Sequence, residues 1–158
     1  MKRIAAIAVL VGGFCALSGS EAGAQHGAHA SGHVVLQPSQ MTWNDLPALP
    51  GVKIAVLEGP LNEAVPIMFR LKFPANYKVP PHRHLGVEHI TIISGTLNIG
   101  MGDTFDPAKT HTLTQGSVAI MPAGTSHFVW TSEETISQVH SIGPWSVTYV
   151  NPADDPRR

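Results

Sequence analysis

The chain has a single cysteine, Cys15, and it falls inside an apolar stretch from Ile4 to Leu17 that follows Met1-Lys2-Arg3. Phe14 precedes it, where a bacterial lipoprotein signal carries a small residue, so lipidation of Cys15 is not expected. Without another cysteine there is no disulfide and no thiolate metal site, and any metal must sit on nitrogen and oxygen. Charge is also scarce. Only 13% of residues are Asp, Glu, Lys or Arg and the formal net charge is -1, which gives no electrostatic reason to expect nucleic acid or an anionic membrane as partner. Beyond the first segment no stretch holds a helical period, which excludes a helical bundle.

The N-terminal segment ends on Ala22-Gly23-Ala24. Its basic start, apolar middle and small-residue end have the form of a secretory signal cleaved near Ala24, placing the mature chain in the periplasm or outside the cell. An uncleaved anchor is the alternative, but the apolar stretch is shorter than the roughly 20 residues a spanning helix needs. Lys2-Arg3 is not a twin-arginine pair, so export before folding is expected, with metal acquired afterwards. Residues 25–33, which carry His26, His29 and His33 among small residues, read as a flexible tail: either a metal scavenger or a polar spacer.

Gly (15) and Pro (13) are spread between short runs rich in β-branched residues. Strands are expected over Val52–Leu57, Pro66–Phe73, Glu88–Ile93, Thr96–Met101, Thr110–Thr114, Ser117–Met121, His127–Thr131 and Thr135–Ile142, with turn residues between them. Ile67, Phe69, Leu71 and Phe73 alternate with Arg70 and Lys72, the two-residue period of a strand with one wet face. About eight strands at this spacing predict one all-β domain over residues 34–150, a closed or nearly closed antiparallel barrel or jelly roll. Residues 151–158, polar and proline-bearing, are expected to fray.

Chemistry concentrates in Pro80-Pro81-His82-Arg83-His84-Leu85-Gly86-Val87-Glu88. Residues two apart on an extended chain face the same way about 6.6 Å apart, so His82 and His84 can aim at one point. Glu88 would stand about 13 Å from His84 on a straight strand, too far to share an ion bound at about 2.1 Å. The chain must therefore bend at Leu85-Gly86-Val87, where Gly86 permits a conformation other residues resist. His89, adjacent to Glu88, then faces away. A second segment, Gly116 to His127, is an apolar strand, a Pro122-x-Gly124 turn and a histidine opening the next strand. His127 taken alone would be an ordinary core or surface residue; with the other three groups, each beside turn chemistry, it points to a metal site.

These two segments resemble the cupin motifs G-x5-H-x-H-x3or4-E-x6-G and G-x5-P-x-G-x2-H-x3-N. The first is matched by His82, His84, Glu88 and Gly95, with Asn76 at the leading glycine; the second by Gly116, Pro122, Gly124 and His127, with Thr131 at the asparagine. The resemblance implies a compact single-domain bacterial cupin holding one divalent ion (Fe, Mn, Ni, Cu or Zn) on His82, His84, Glu88 and His127. Four ligands on an ion that prefers six leave room for water or substrate. A motif kept only to cross-link strands is the structural alternative.

Cupins with this ligand set include dioxygenases, oxalate enzymes, isomerases and lyases, so the resemblance does not select a reaction. The expected function is a mononuclear oxidoreductase of the dioxygenase kind acting on a small oxygen-rich molecule, with Glu88 as ligand and as proton acceptor if it swings free. A binding protein that captures a small ligand or metal ion outside the cytoplasm is the alternative. A cytoplasmic zinc sensor is disfavoured by the export signal. Phe69, Leu71, Ile90, Ile92 and Val129 are candidates for the barrel lining, with ordinary core packing the preferred reading for each. Gln138 and His140 interrupt the apolar face suggested by Ile136 and Ile142; they either hydrogen-bond a ligand or substrate, or face solvent on an edge strand. Trp130 is a candidate for a homodimer interface.

Overall fold

A computed structural model describes residues 33–158. The expected export signal, His26 and His29 lie outside the described residues. Among those described, no helix is long and apolar enough to cross a membrane.

The described residues run through eleven strands: β1 (Asn44–Asp45), β2 (Lys53–Glu58), β3 (Pro66–Phe73), β4 (Lys78–Arg83), β5 (Glu88–Ser94), β6 (Leu97–Met101), β7 (Thr110–Leu113), β8 (Val118–Met121), β9 (His127–Trp130), β10 (Thr135–Ile142) and β11 (Thr148–Tyr149). All eight expected strands are present, with two matching at both ends. The strands pair antiparallel in two sheets, one ordered β1-β2-β3-β10-β5-β8 and the other β11-β4-β9-β6-β7. This is a jelly roll, but the expected closure into a barrel does not occur. Each sheet ends on short strands, and among the described residues no ladder joins one sheet to the other.

The inward faces follow the two-residue period. On β3, Ile67, Phe69, Leu71 and Phe73 are buried while the residues between them are half-exposed. The same parity on β10 turns Thr135, Ser137, Val139 and Ser141 inward. The four β3 side chains and Val139 form one apolar core with Ile90, Ile92, Leu97, Ile99, Val79 and Val129, and their removal from water is the main force holding the sheets together.

Strand β4 is the main element the turn signals hide. Pro80 and Pro81 lie inside it, although β4 is a central strand flanked by β11 and β9. Proline cannot donate to a ladder and is normally found at edges or bulges. Here the β4–β9 register shifts between Val79 and His82, so both prolines occupy the irregularity. Regular pairing resumes at His82, directly opposite His127.

The C-terminal residues make specific contacts. Pro152–Asp154 form a 3-10 turn capped by the Asn151 side chain, and the Arg157 guanidinium donates to the Val147 carbonyl at 2.9 Å.

Candidate metal centre

The site lies between the sheets. Register sets His127, the first residue of β9, against His82 of β4, and their rings stand 4.3 Å apart. His84 follows just past the end of β4. The chain then bends at Leu85-Gly86, and Glu88 opens β5 on the opposite sheet. The bend is where spacing places it, but its reason differs. Gly86 does not have positive φ; instead, a Cβ there would stand 2.8 Å from the Ile142 carbonyl oxygen and 2.9 Å from the Ser141 hydroxyl. Glycine is needed for close approach of backbone, not for a left-handed conformation.

His82, His84, Glu88 and His127 are all buried. One ring nitrogen from each histidine lies within 4.8 Å of the corresponding atom of the other two. Glu88 Oε2 stands 3.4 Å from His84 Nε2 and 4.0 Å from His127 Nε2. Ligands held at about 2.1 Å from a common ion are about 3.0 Å apart when cis in an octahedron and about 4.2 Å when trans, so Oε2 is within coordinating range of the two imidazoles.

The far side of each ring supports the same use. His82 Nδ1 meets the Pro80 carbonyl at 2.8 Å, His84 Nδ1 meets the Ser146 carbonyl at 2.8 Å and His127 Nδ1 meets the Thr125 carbonyl at 3.1 Å. A carbonyl oxygen only accepts, so each Nδ1 carries the hydrogen. A neutral ring then has its lone pair on Nε2, the state a metal requires. Burial keeps the rings neutral. It lowers the pKa of His84 to about 4, lowers that of His127, and, with the neighbouring imidazoles adding to it, holds His82 well below its ordinary value. Burial raises the pKa of Glu88 against the opposing effects of Trp145 and His127. A cation at Oε2 would favour the carboxylate, because opposite charge favours ionisation in a dry site.

Three neutral imidazoles that converge through their Nε2 atoms can hold a divalent metal ion, and Glu88 stands ready as an anionic fourth group. The cavity they face measures about 40 Å³ and is lined otherwise by apolar side chains, among them Leu71, Ile90, Val129, Val139 and Val147, with Ser137 as the polar exception. That volume accommodates a few water-sized groups beside an ion.

Leu71, Ile90 and Val129 thus line the cavity as well as packing in the core. Phe69 and Ile92 are buried in the surrounding core, and Phe69 packs edge-on against Trp145 with ring centres 4.7 Å apart. Gln138 and His140 do not reach the site. Their parity on β10 is opposite to that of Ser137 and Val139, and they lie on the outer face of a central strand, not an edge. There Gln138 accepts from Arg70 Nε at 2.9 Å and contacts His140 Nε2 at 3.2 Å. His33 is exposed. Trp130 is half-buried, and its Nε1 finds no hydrogen-bond partner among the described residues.

Trp145 is the site residue that spacing does not reveal. Its indole N–H donates to Glu88 Oε1 at 2.6 Å, and its ring stacks on that of His84 at 5.3 Å with 13° between planes. The only sequence signal was an aromatic residue in a Gly-Pro-Trp loop, 57 positions from its partner.

Both departures from the cupin motifs meet at the β3–β4 turn, which holds Asn76 and which Thr131, just after β9, hydrogen-bonds. Asn76 takes φ of 58°, the left-handed conformation in which asparagine is the best substitute for glycine. Thr131 donates through Oγ1 to the Pro74 carbonyl at 2.8 Å and accepts from the Tyr77 amide at 3.3 Å. The turn that launches β4 is therefore built with different side chains.

Comparison with known proteins agrees with this architecture. A family model described as ChrR Cupin-like domain matches residues 31–145. No curated protein matches. Among solved structures, the polyketide cyclase RemF from Streptomyces resistomycificus superposes with a TM-score of 0.65 at 17% identity, covering 79% of this chain and 90% of its own. An RmlC-like cupin from Shewanella frigidimarina gives 0.56 at 14% identity over 71% and 93%, and an oxalate oxidase gives 0.55 at 18% identity over 77% and 66%. At such identities the likeness is one of fold. With more than half its length matched by the family model, the chain belongs to the ChrR cupin-like family of the cupin superfamily.

Proposed function

We propose that this protein is an exported mononuclear metal oxidoreductase of the dioxygenase kind, acting on a small oxygen-rich organic molecule. The observation that carries the proposal is the set of three imidazoles held by backbone carbonyls in the metal-binding tautomer, beside a carboxylate with one oxygen facing them, in an apolar pocket. Such a set would leave a dication with a net charge of +1 and room for other ligands. A redox-active ion held there would supply Lewis acidity and electron exchange with dioxygen.

The protein's own residues do the rest. His82, His84 and His127 would bind the ion through Nε2, and Glu88 would bind through Oε2 while Trp145 keeps Oε1. Glu88 could act as a proton acceptor only after leaving that position. The apolar wall excludes water and strengthens every electrostatic interaction within the pocket. The oxalate oxidase of similar fold supports the redox assignment as an analogy of architecture.

The modest cavity favours a second reading, a binding protein that captures a metal ion or very small ligand without turnover. Dioxygen uptake by the iron-, manganese- and copper-loaded protein, assayed with dicarboxylates, hydroxyketones and enolisable diketones, separates the two. Catalytic uptake with repeated turnover supports the oxidoreductase. One-to-one metal capture with no uptake on any of these supports the binder.

A further inference from the structure

We propose that Trp145 is a positioning residue of the metal centre: its indole N–H withholds one carboxylate oxygen of Glu88, making Glu88 a monodentate ligand and keeping an adjoining coordination position open. This inference rests on the metal-centre reading and adds to it a residue outside the cupin motifs.

A carboxylate beside a divalent ion can bind through one oxygen or chelate through both. In this site the two oxygens are already distinguished. Oε2 lies 3.4 Å from His84 Nε2 and 4.0 Å from His127 Nε2, on the metal side. Oε1 accepts the Trp145 indole N–H at 2.6 Å, the short separation of a hydrogen bond to a charged acceptor. Indole has one hydrogen to give and accepts none, so this bond commits Trp145 to a single task. Chelation by Glu88 would have to turn Oε1 toward the ion, and that rotation would pull it off the line of the 2.6 Å bond to the indole.

The indole is held from three directions. Its ring stacks on His84, Phe69 packs against it edge-on at 4.7 Å, and its backbone N–H donates to the Leu61 carbonyl at 2.7 Å. The segment that carries it is tied down as well. The Gly143 amide donates to the Val65 carbonyl at 2.9 Å, and a Cβ on Gly143 would collide with the Glu63 carbonyl oxygen. The next residue in line, Ser146, supplies the carbonyl that fixes the His84 tautomer. One short segment after β10 thus orients two of the four metal-facing groups, Glu88 through the indole and His84 through a carbonyl.

Cobalt(II) is the probe, because the position and intensity of its visible bands report coordination number. Trp145→Phe keeps the stacked ring and deletes the N–H. The wild-type protein and this variant should each bind one equivalent of cobalt, with clearly different visible spectra. The variant should also hold zinc about 10-fold more weakly, the lower end of the loss typical when a ligand loses its supporting hydrogen bond. In a Glu88→Ala background the same Trp145→Phe change should leave the cobalt spectrum unaltered, since there is no carboxylate left to orient. Independently of any Trp145 variant, the wild-type zinc protein should show one indole N–H resonance, among those of its three tryptophans, that exchanges slowly with D2O and moves on Glu88→Ala. Identical cobalt spectra for wild type and Trp145→Phe, or an equal spectral change in the Glu88→Ala background, would overturn the proposal while leaving the metal centre standing. Failure of the wild type to bind cobalt would remove the metal centre and this role with it.

Discussion

His84 Nδ1 donates its hydrogen to the carbonyl of Ser146 at 2.8 Å, joining the end of β4 to a loop 62 residues later in the chain. Equivalent bonds on His82 and His127 reach only two residues back, to Pro80 and Thr125. Two imidazoles are therefore oriented by backbone two residues before them, and the third depends on a distant segment. Disturbing that segment should impair the site without touching a metal-facing side chain.

Gly143→Ala provides such a disturbance. The added methyl would meet the Glu63 carbonyl, and relieving the overlap must move the segment that carries Trp145 and Ser146. Overpacking of this kind costs about 1–3 kcal/mol. Urea unfolding of the metal-free variant should show a loss in that range, and competition with a chromogenic chelator should show weaker zinc binding. Unchanged affinity would mean that the segment does not support the centre.

Acid should destabilise the metal-free protein at mildly acidic pH. Each histidine has a folded pKa below the unfolded value of about 6.5. Between the two values the unfolded chain binds more protons, so stability falls as pH is lowered through 6.5 toward the folded pKa, about 4 for His84. That shift alone corresponds to about 3 kcal/mol. Glu88 acts in the opposite sense: its raised folded pKa makes stability recover as pH falls through it. Three histidines titrate in the destabilising sense and one carboxyl against it. Urea midpoints of chelator-treated protein should therefore drop between pH 7 and pH 4.5, and His84→Gln should flatten the slope.

Much of the strand order can be read from alternation and turn residues because each strand's parity is local information. The ligand set is local too, since His82, His84 and Glu88 lie within one bend and the Pro122-x-Gly124 turn delivers His127. Three features escape for physical reasons. Barrel closure depends on whether terminal strands find partners across sheets, which no single strand encodes. Strand β4 is masked by Pro80-Pro81, tolerated because a register shift absorbs both. Trp145 acts through a contact that exists only once the loop after β10 folds back over β5. Gln138 and His140 show the converse: Ile136 and Ile142 suggest an apolar inner face, yet those residues point outward, and the inner face of β10 is made by Ser137, Val139 and Ser141.

The turn built from Asn76 and Thr131 gives a test of the motif departures. Thr131→Val keeps the shape and removes the hydroxyl that serves the Pro74 carbonyl and the Tyr77 amide. Leaving buried polar groups without partners costs about 1–3 kcal/mol. Asn76→Gly should be tolerated, as φ of 58° suits glycine, whereas Asn76→Val should cost about 1–2 kcal/mol. Thermal unfolding should leave Asn76→Gly close to the wild type and lower the midpoint of both Thr131→Val and Asn76→Val.

The central claim is that His82, His84 and His127 converge on one ion with Glu88 beside them. Elemental analysis of protein purified from its native compartment, alongside His82→Ala and His127→Ala, tests it most directly. The account predicts close to one equivalent of a single transition metal in the wild type and a large loss in both variants, with folding confirmed by circular dichroism. Full metal retention by both folded variants would contradict it.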